Sequence, residues 1–378
     1  MKNTRVRKVV GSYDISLLLI VALLCAFGTV MVFSTSYYNA DRFYSESTKY
    51  YSLQIRNIIF GGASMIMVSL IDYHLYSKRI WRSINLLYVL YVLCMVLQIL
   101  VVFIGYSSNG AARWLNIGPV GFQPSELTKI CIILMSAYLI STRVKYMKTL
   151  VGITPMLILF TPLVMLVAYF DLSTGIVLLA IMFVVALVVT GFRKYYLGIF
   201  GVMLAGGLVL ILYKGYRMER IIDWLNSDTL DTGSQTIQGL YAIASGGIGG
   251  KGLGEGIQKL GKIQEVHTDM IFTVVCEELG IIGAITVITL FLLLLWRIYV
   301  VAVNARDMFG GLICVGVFAH IATQFILNIM VVTNMIPATG IPLPFISYGG
   351  TSLVVLMAEM GLVLNVSKQI PKEGVSDA

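Results

Sequence analysis

Apolar residues in this chain run in stretches long enough to cross a bilayer, at about 13–35, 55–71, 83–105, 122–141, 151–170, 173–192, 195–213, 270–296, 308–332 and 350–367. A helix needs roughly 20 residues to span the hydrocarbon, so each run predicts one crossing. The second run is short, and only Asp171 to Thr174 separates the fifth from the sixth. Barrel strands are about 10 residues long and alternate apolar with polar positions, which these runs do not. The pattern predicts an all-α polytopic integral membrane protein of about ten transmembrane helices, a single membrane domain over 1–378.

Lysine and arginine between the runs assign sides, because short cytoplasmic loops are enriched in them. With residues 1–12 inside, the even loops hold Lys78, Arg79 and Arg82, then Arg143, Lys145 and Lys148, then Arg193 and Lys194, then Arg297 and Arg306. The tail, 368–378, adds Lys368 and Lys372. The short odd loops are poorer: Arg42, Lys49 and Arg56 in the first, Arg113 in the third, none in the fifth or ninth. Both termini are therefore expected in the cytoplasm, with a large extracytoplasmic loop, 214–269, between helices 7 and 8. Three chemically unusual segments, Asn109–Lys129, Gly239–Asp269 and Asn334–Ser352, then share the outer face. A site built there acts on something presented at the outer leaflet, not on a cytosolic nucleotide.

Composition agrees. Of 378 residues 58% are hydrophobic and 12% charged, with a mean hydropathy of +0.88, an apolar excess that a soluble globule of this size cannot bury. The formal charge of +8 reads first as a topology signal. No basic cluster is interleaved with aromatics on a soluble domain, so nucleic acid is not an expected partner. Cys25, Cys94, Cys131, Cys276 and Cys314 all lie inside apolar runs, which argues against a disulfide framework or a zinc site. The basic N-terminus (Lys2, Arg5, Arg7, Lys8) precedes a run without a well-placed small-residue cleavage site, so a retained first span is expected rather than a signal peptide.

In the third loop, Pro124 and Ser125 read as a helix start with Glu126 in its first turn. Glu126 and Lys129, three apart, share a face. Arg113 and Lys129 can meet a phosphate or pyrophosphate headgroup while Glu126 orients Lys129; a structural ion pair, with Trp114 as an interfacial anchor, is the alternative. In the seventh loop, Ser245-Gly-Gly-Ile-Gly-Gly-Lys-Gly-Leu-Gly-Glu-Gly256 lacks the spacing of an ATP-binding loop and reads as a flexible loop approaching a bulky ligand. The same loop ends Gln264-Glu-Val-His-Thr-Asp269, which puts Asp269 at the mouth of the eighth helix. Partial desolvation there favours a general base, the helix N-terminus favours the anion, and a simple helix cap by Thr268 or Asp269 is the alternative. Glu277 and Glu278 lie two turns further in, so at least one faces protein or a cavity. The ninth loop carries three prolines and several glycines, which suits a re-entrant turn lining a polar cavity. Its Ser347, Tyr348 and Gly349–Gly350 amides can bind sugar hydroxyls or phosphate, or serve a purely structural hairpin.

These segments resemble the SEDS family (shape, elongation, division and sporulation), the RodA/FtsW/SpoVE-type peptidoglycan glycosyltransferases. The matching pieces are Gly110-Ala-Ala-Arg-Trp114, Gln123-Pro-Ser-Glu126 with Lys129, Gly252-Leu-Gly254, His267-Thr-Asp269 with Glu277-Glu-Leu-Gly280, and Pro342-Leu-Pro-Phe-Ile-Ser-Tyr-Gly-Gly350. With Asp171 and Tyr216-Arg217 they run in order through nearly the whole chain. The resemblance implies polymerisation of lipid II into glycan strands at the outer face of the bacterial cytoplasmic membrane, with Asp269 as the catalytic carboxylate. It implies a substrate site drawn from Arg113, Trp114, Gln123, Ser125, Glu126, Lys129, Asp171, Arg217, His267, Ser347, Tyr348 and Gly349. The implied partners are lipid II, lipid-linked glycan, membrane lipids and a class B penicillin-binding protein. A divalent cation (Mg or Mn) is an implied option, and no organic cofactor is. Departures occur at Ile263-Gln-Glu265, where Leu-Pro-Glu is common, at Met270 for Phe, and at Ser173 for Gly. They spare Asp269 and leave the elongation, division and sporulation branches open. A lipid II flippase remains the alternative, kept open by Asp171, Glu278, His320, Gln324 and Asn328, and so does a scaffold that only recruits other proteins.

Overall fold

A backbone that leaves the helix inside a bilayer must find partners within the protein, and this requirement shapes the computed structural model. It describes residues 11–44, 46–81, 84–108, 111–117, 120–147, 150–190, 198, 201, 206, 215–225, 235–261, 263 and 266–371. The long helices are α1 (Ile15–Tyr44), α2 (Lys49–Leu70), α4 (Leu86–Ile104), α5 (Pro124–Thr142), α6 (Leu150–Phe170), α7 (Leu172–Thr190), α10 (Ile271–Val303), α11 (Met308–Val332) and α12 (Gly350–Lys368). A short α3 (His74–Ser77) and a two-stranded β1–β2 ribbon (Arg79–Trp81, Ile84–Asn85) follow α2, while α8 (Gly215–Leu225) and α9 (Gln235–Ser245) precede α10. Each of these long helices coincides with an apolar run of the sequence, and eight are long and apolar enough to cross a membrane over their described residues. Of the seventh run, 195–213, only residues 198, 201 and 206 are described.

Helices α5, α11 and α12 form the interior. They carry buried polar groups such as Glu126, Lys129, His320, Asn328 and Glu359, whereas α2, α4 and α10 turn Ile59, Phe60, Val92, Phe103, Ile285 and Leu292 outward. The exposed apolar side chains are what a hydrocarbon solvent requires. Local sequence sets the helix starts. Pro124 opens α5 with Glu126 in its first turn, and Asp307 caps α11 by accepting the Gly310 amide at 2.8 Å. The break between the fifth and sixth runs is a single residue: Asp171 accepts the Thr174 amide and hydroxyl at 3.1 and 3.0 Å and so starts α7.

The third loop is more ordered than an interfacial hairpin. It forms an antiparallel meander of β3 (Tyr106–Ser108), β4 (Ala111–Ile117) and β5 (Val120–Phe122), pairing Tyr106 with Trp114 and Leu115 with Phe122. The meander delivers Arg113 and Trp114 to the start of α5. Among the described residues this small sheet and the β1–β2 ribbon are the strands added to a mostly helical fold.

The glycine-rich stretch after α9 is fixed, not flexible as its composition suggests. Helix α10 is broken at Gly280 (φ 65°, ψ −159°). Below the break, the Glu277 and Glu278 carbonyls accept the Lys251 and Gly252 amides, each at 3.0 Å. Above it, the Ile281 and Ile282 amides donate to the Gly247 and Ile248 carbonyls. The loop thus supplies the groups that a helix end leaves orphaned. The acidic side chains complete the clamp. Glu277 takes Lys251 Nζ (2.8 Å) and the Ile257 amide (3.0 Å), while Glu278 takes Ser34 Oγ (2.8 Å), Lys259 Nζ (2.5 Å) and the Gly254 amide (3.0 Å).

The ninth loop runs between α11 and α12 as irregular backbone with Leu343, Phe345 and Ile346 buried. It dives between helices as far as the middle of α1. A Cβ at Gly28 would stand 2.7 Å from Ile346 Cα and the Phe345 carbonyl oxygen, so only glycine permits this approach.

Gly280→Ala places a Cβ on a backbone conformation essentially restricted to glycine and into contact with Gly250 and Ile248. Its cost is about 1–3 kcal/mol of strain plus the overlap. The expected result is a fall of roughly 5 °C or more in the melting temperature of the detergent-solubilised protein; unchanged melting contradicts the clamp.

Candidate active site

Three consecutive carbonyls just before α10 are each held by a neighbouring element. The His267 carbonyl accepts the Tyr348 amide at 2.9 Å, the Thr268 carbonyl accepts Ser347 Oγ at 2.5 Å, and the Asp269 carbonyl accepts Asn328 Nδ2 at 2.8 Å. The segment is therefore fixed by the ninth loop and α11. Asp269 does not cap α10: the N-cap position is Met270, without a side-chain cap bond. Met270 is buried, and its methyl group packs where a Cβ on Gly239 of α9 would lie.

Beside this segment lies a cavity of about 150 Å³. Arg113 and Trp114 of β4, Gln123, Glu126 and Lys129 of the α5 start, Asp171 and Thr174 of the α7 start, Thr268, Gln324 of α11, and Gly340, Tyr348 and Gly349 of the ninth loop line it. Asp269 is not among the lining residues; its carboxylate approaches the lining residue Gly340, where a Cβ would lie 3.9 Å from Asp269 Oδ2. Asp269 itself is 7% exposed.

Two cation–carboxylate pairs face this space. Lys129 Nζ stands 2.8 Å from Glu126 Oε1, both side chains almost wholly buried. One guanidinium nitrogen of Arg113 stands 3.5 Å from Asp171 Oδ2. Within each pair the carboxylate keeps the cation tolerable while the cavity is empty, and an anionic group that enters shares Arg113 and Lys129 with Asp171 and Glu126. Three buried polar atoms of cavity residues, Arg113 Nε, Glu126 Oε2 and Gln324 Oε1, have no hydrogen-bond partner, which leaves capacity for a polar ligand.

Not every expected residue faces the cavity. Ser125 is buried in the first turn of α5. The His267 ring packs 4.4 Å from the Tyr50 ring and 5.7 Å from that of Tyr348. Ser347 Oγ donates to Thr268 and accepts the Leu343 amide at 2.9 Å, so its hydroxyl serves the backbone. The side chain of Arg217 lies outside the described residues, although its helix α8 docks on the ninth loop through Trp224 Nε1 to the Asn334 carbonyl (2.9 Å). Among the described residues no three His, Cys, Asp or Glu side chains come together to hold a metal ion. Thr268 and Gly340 line the cavity without being expected site residues, and Gln324, expected only as a hint of transport together with Asn328, lines it too. Their signal was a polar residue every fourth position on an otherwise apolar helix.

Comparison with known proteins agrees with this architecture. The sequence profile of the FtsW/RodA/SpoVE family, described as cell cycle proteins, matches residues 15–372. Stage V sporulation protein E of Bacillus subtilis is 37% identical over 366 residues, covering 94% of this chain and 97% of that protein. A probable peptidoglycan glycosyltransferase FtsW of Geobacter sp. (strain M18) is 36% identical, covering 96% of this chain and 99% of its own. A solved chain from work on the structural coordination of polymerization and crosslinking by a peptidoglycan synthase complex superposes with a TM-score of 0.76 at 27% identity, over 95% of this chain and 98% of that one. The chain belongs to the FtsW/RodA/SpoVE family of cell cycle proteins.

Proposed function

We propose that this multi-pass membrane protein is a peptidoglycan glycosyltransferase that polymerises lipid II at the outer face of the cytoplasmic membrane, both termini inside, with Asp269 as general base. The observation that carries the reading is a carboxylate fixed by its backbone next to a cavity whose walls hold Arg113 and Lys129. The 4-hydroxyl oxygen of the acceptor sugar attacks the anomeric carbon of the donor and gives its proton to Asp269. The bond from that carbon to the pyrophosphate oxygen breaks, and undecaprenyl pyrophosphate leaves. Arg113 and Lys129 meet the charge that develops on the leaving group. A pyrophosphate needs no proton to depart, so one carboxylate suffices where glycosidases use two. A single displacement inverts the anomeric centre.

The kinship with a chain of a complex that coordinates polymerization and crosslinking supports a cross-linking partner, a class B penicillin-binding protein. The flippase alternative leaned on polar groups within the spans. Those groups are engaged in the fold: Asp171 starts α7, Glu278 clamps the glycine loop, and His320 pairs with Glu359 at 2.7 Å.

In lipid II polymerisation by the full chain reconstituted with its cross-linking partner, Asp269→Asn is expected to lower the rate at least about 100-fold, the scale of a lost general base, with melting temperature and lipid II binding preserved. Wild-type polymerisation by that variant contradicts the assignment, and lipid movement without polymer favours the flippase. Arg113→Gln removes a charged donor to the headgroup, so kcat/KM for lipid II is expected to fall about 10- to 100-fold. An unchanged kcat/KM removes Arg113 from the site.

A further inference from the structure

Three polar residues recur every fourth position on α11, His320, Gln324 and Asn328, and all are buried. Residues so spaced share one face of a helix. Each reaches a different element: His320 Nδ1 meets Glu359 Oε2 of α12 at 2.7 Å, Gln324 Nε2 donates to the Pro342 carbonyl at 3.0 Å, and Asn328 Nδ2 donates to the Asp269 carbonyl at 2.8 Å and the Ile341 carbonyl at 2.9 Å. An amide nitrogen has two hydrogens, and Asn328 uses both. Two carbonyls as partners also fix which way the amide points, since its oxygen cannot face either.

We propose that Asn328 is a positioning residue for the glycosyl transfer, setting the distance between Asp269 and the cavity wall formed by Gly340 and Ile341. This inference rests on the reading of Asp269 as the base. The bridge joins the peptide unit that carries the carboxylate to the residue adjoining Gly340, the lining residue that Asp269 Oδ2 approaches. The bonds to the two preceding carbonyls hold Thr268 and His267, and Asn328 holds the third, at Asp269 itself. A neutral amide suits the task. A lysine or arginine in its place would pair with the carboxylate and depress its basicity, whereas Asn328 fixes the main chain and adds no charge.

The test compares Asn328→Leu, similar in size but unable to donate, with Asn328→Gln, which keeps the donors but moves them by one methylene. Polymerisation of lipid II by the full chain with its partner is measured beside equilibrium binding of labelled lipid II. A misplaced reacting group costs on the order of 100-fold, so kcat of Asn328→Leu is expected to fall about 100-fold and that of Asn328→Gln about tenfold, with KM and lipid II affinity within about threefold of wild type. A residue that only supports folding instead lowers the binding-competent fraction and the rate in the same proportion. Such parallel loss, or wild-type kcat in either variant that still binds lipid II, overturns the proposal; if Asn328→Leu does not fold, Asn328→Gln decides. An inactive Asp269→Asn beside a fully active Asn328 variant sinks only the positioning role, whereas an active Asp269→Asn sinks the base on which it rests.

Discussion

Inside a bilayer no water is at hand to pair an exposed amide or carbonyl, so every departure from helix must be matched by another. This structure meets that constraint by letting its irregular segments satisfy one another. The glycine-rich loop supplies both sides of the break at Gly280, and the ninth loop and α11 take up the carbonyls of His267, Thr268 and Asp269. The non-helical backbone around the candidate site is thus a mutually bonded layer. A carboxylate on such a layer is held to a defined position through its main chain, and Asp269 Oδ1 also accepts the Thr268 hydroxyl at 3.3 Å.

The charged groups follow a similar logic. A lone ion in this setting is expensive, whereas a paired and hydrogen-bonded one is tolerable. Glu126 with Lys129 and Glu278 with Lys259 are buried pairs, and buried Glu277 meets a partly exposed Lys251, but of these three only the first faces the cavity. The other two clamp a loop. Pairing alone therefore does not mark a functional residue, and the position relative to the cavity separates the two roles.

Much of this was legible in the sequence because apolar run length is a one-dimensional signal: nine of the ten runs coincide with helices, and only three single residues of the other, 195–213, are described. The Glu126–Lys129 pair followed from helical spacing. What failed to show was long-range bonding. Glycine content at 246–256 suggested mobility, because the acceptors that fix it, Glu277 and Glu278, lie some twenty residues later. Asp269 looked like a possible cap since sequence does not reveal that α10 begins at Ile271. Ser347 looked like a ligand contact because its partner, the Thr268 carbonyl, is a backbone atom. The meander over 106–122 was hidden by its glycines and by short strands that lack clear alternation.

With Asp269 as the base for an outer-leaflet substrate, the mutually bonded layer is expected at the outer surface of the membrane. The most direct measurement is labelling of a single cysteine at Leu253, a 54% exposed position on the clamped loop, in a background without the five native cysteines. A membrane-impermeant maleimide added to intact cells is expected to label it. Labelling that occurs only after the membrane is opened would put the site on the cytoplasmic side and contradict the mechanism.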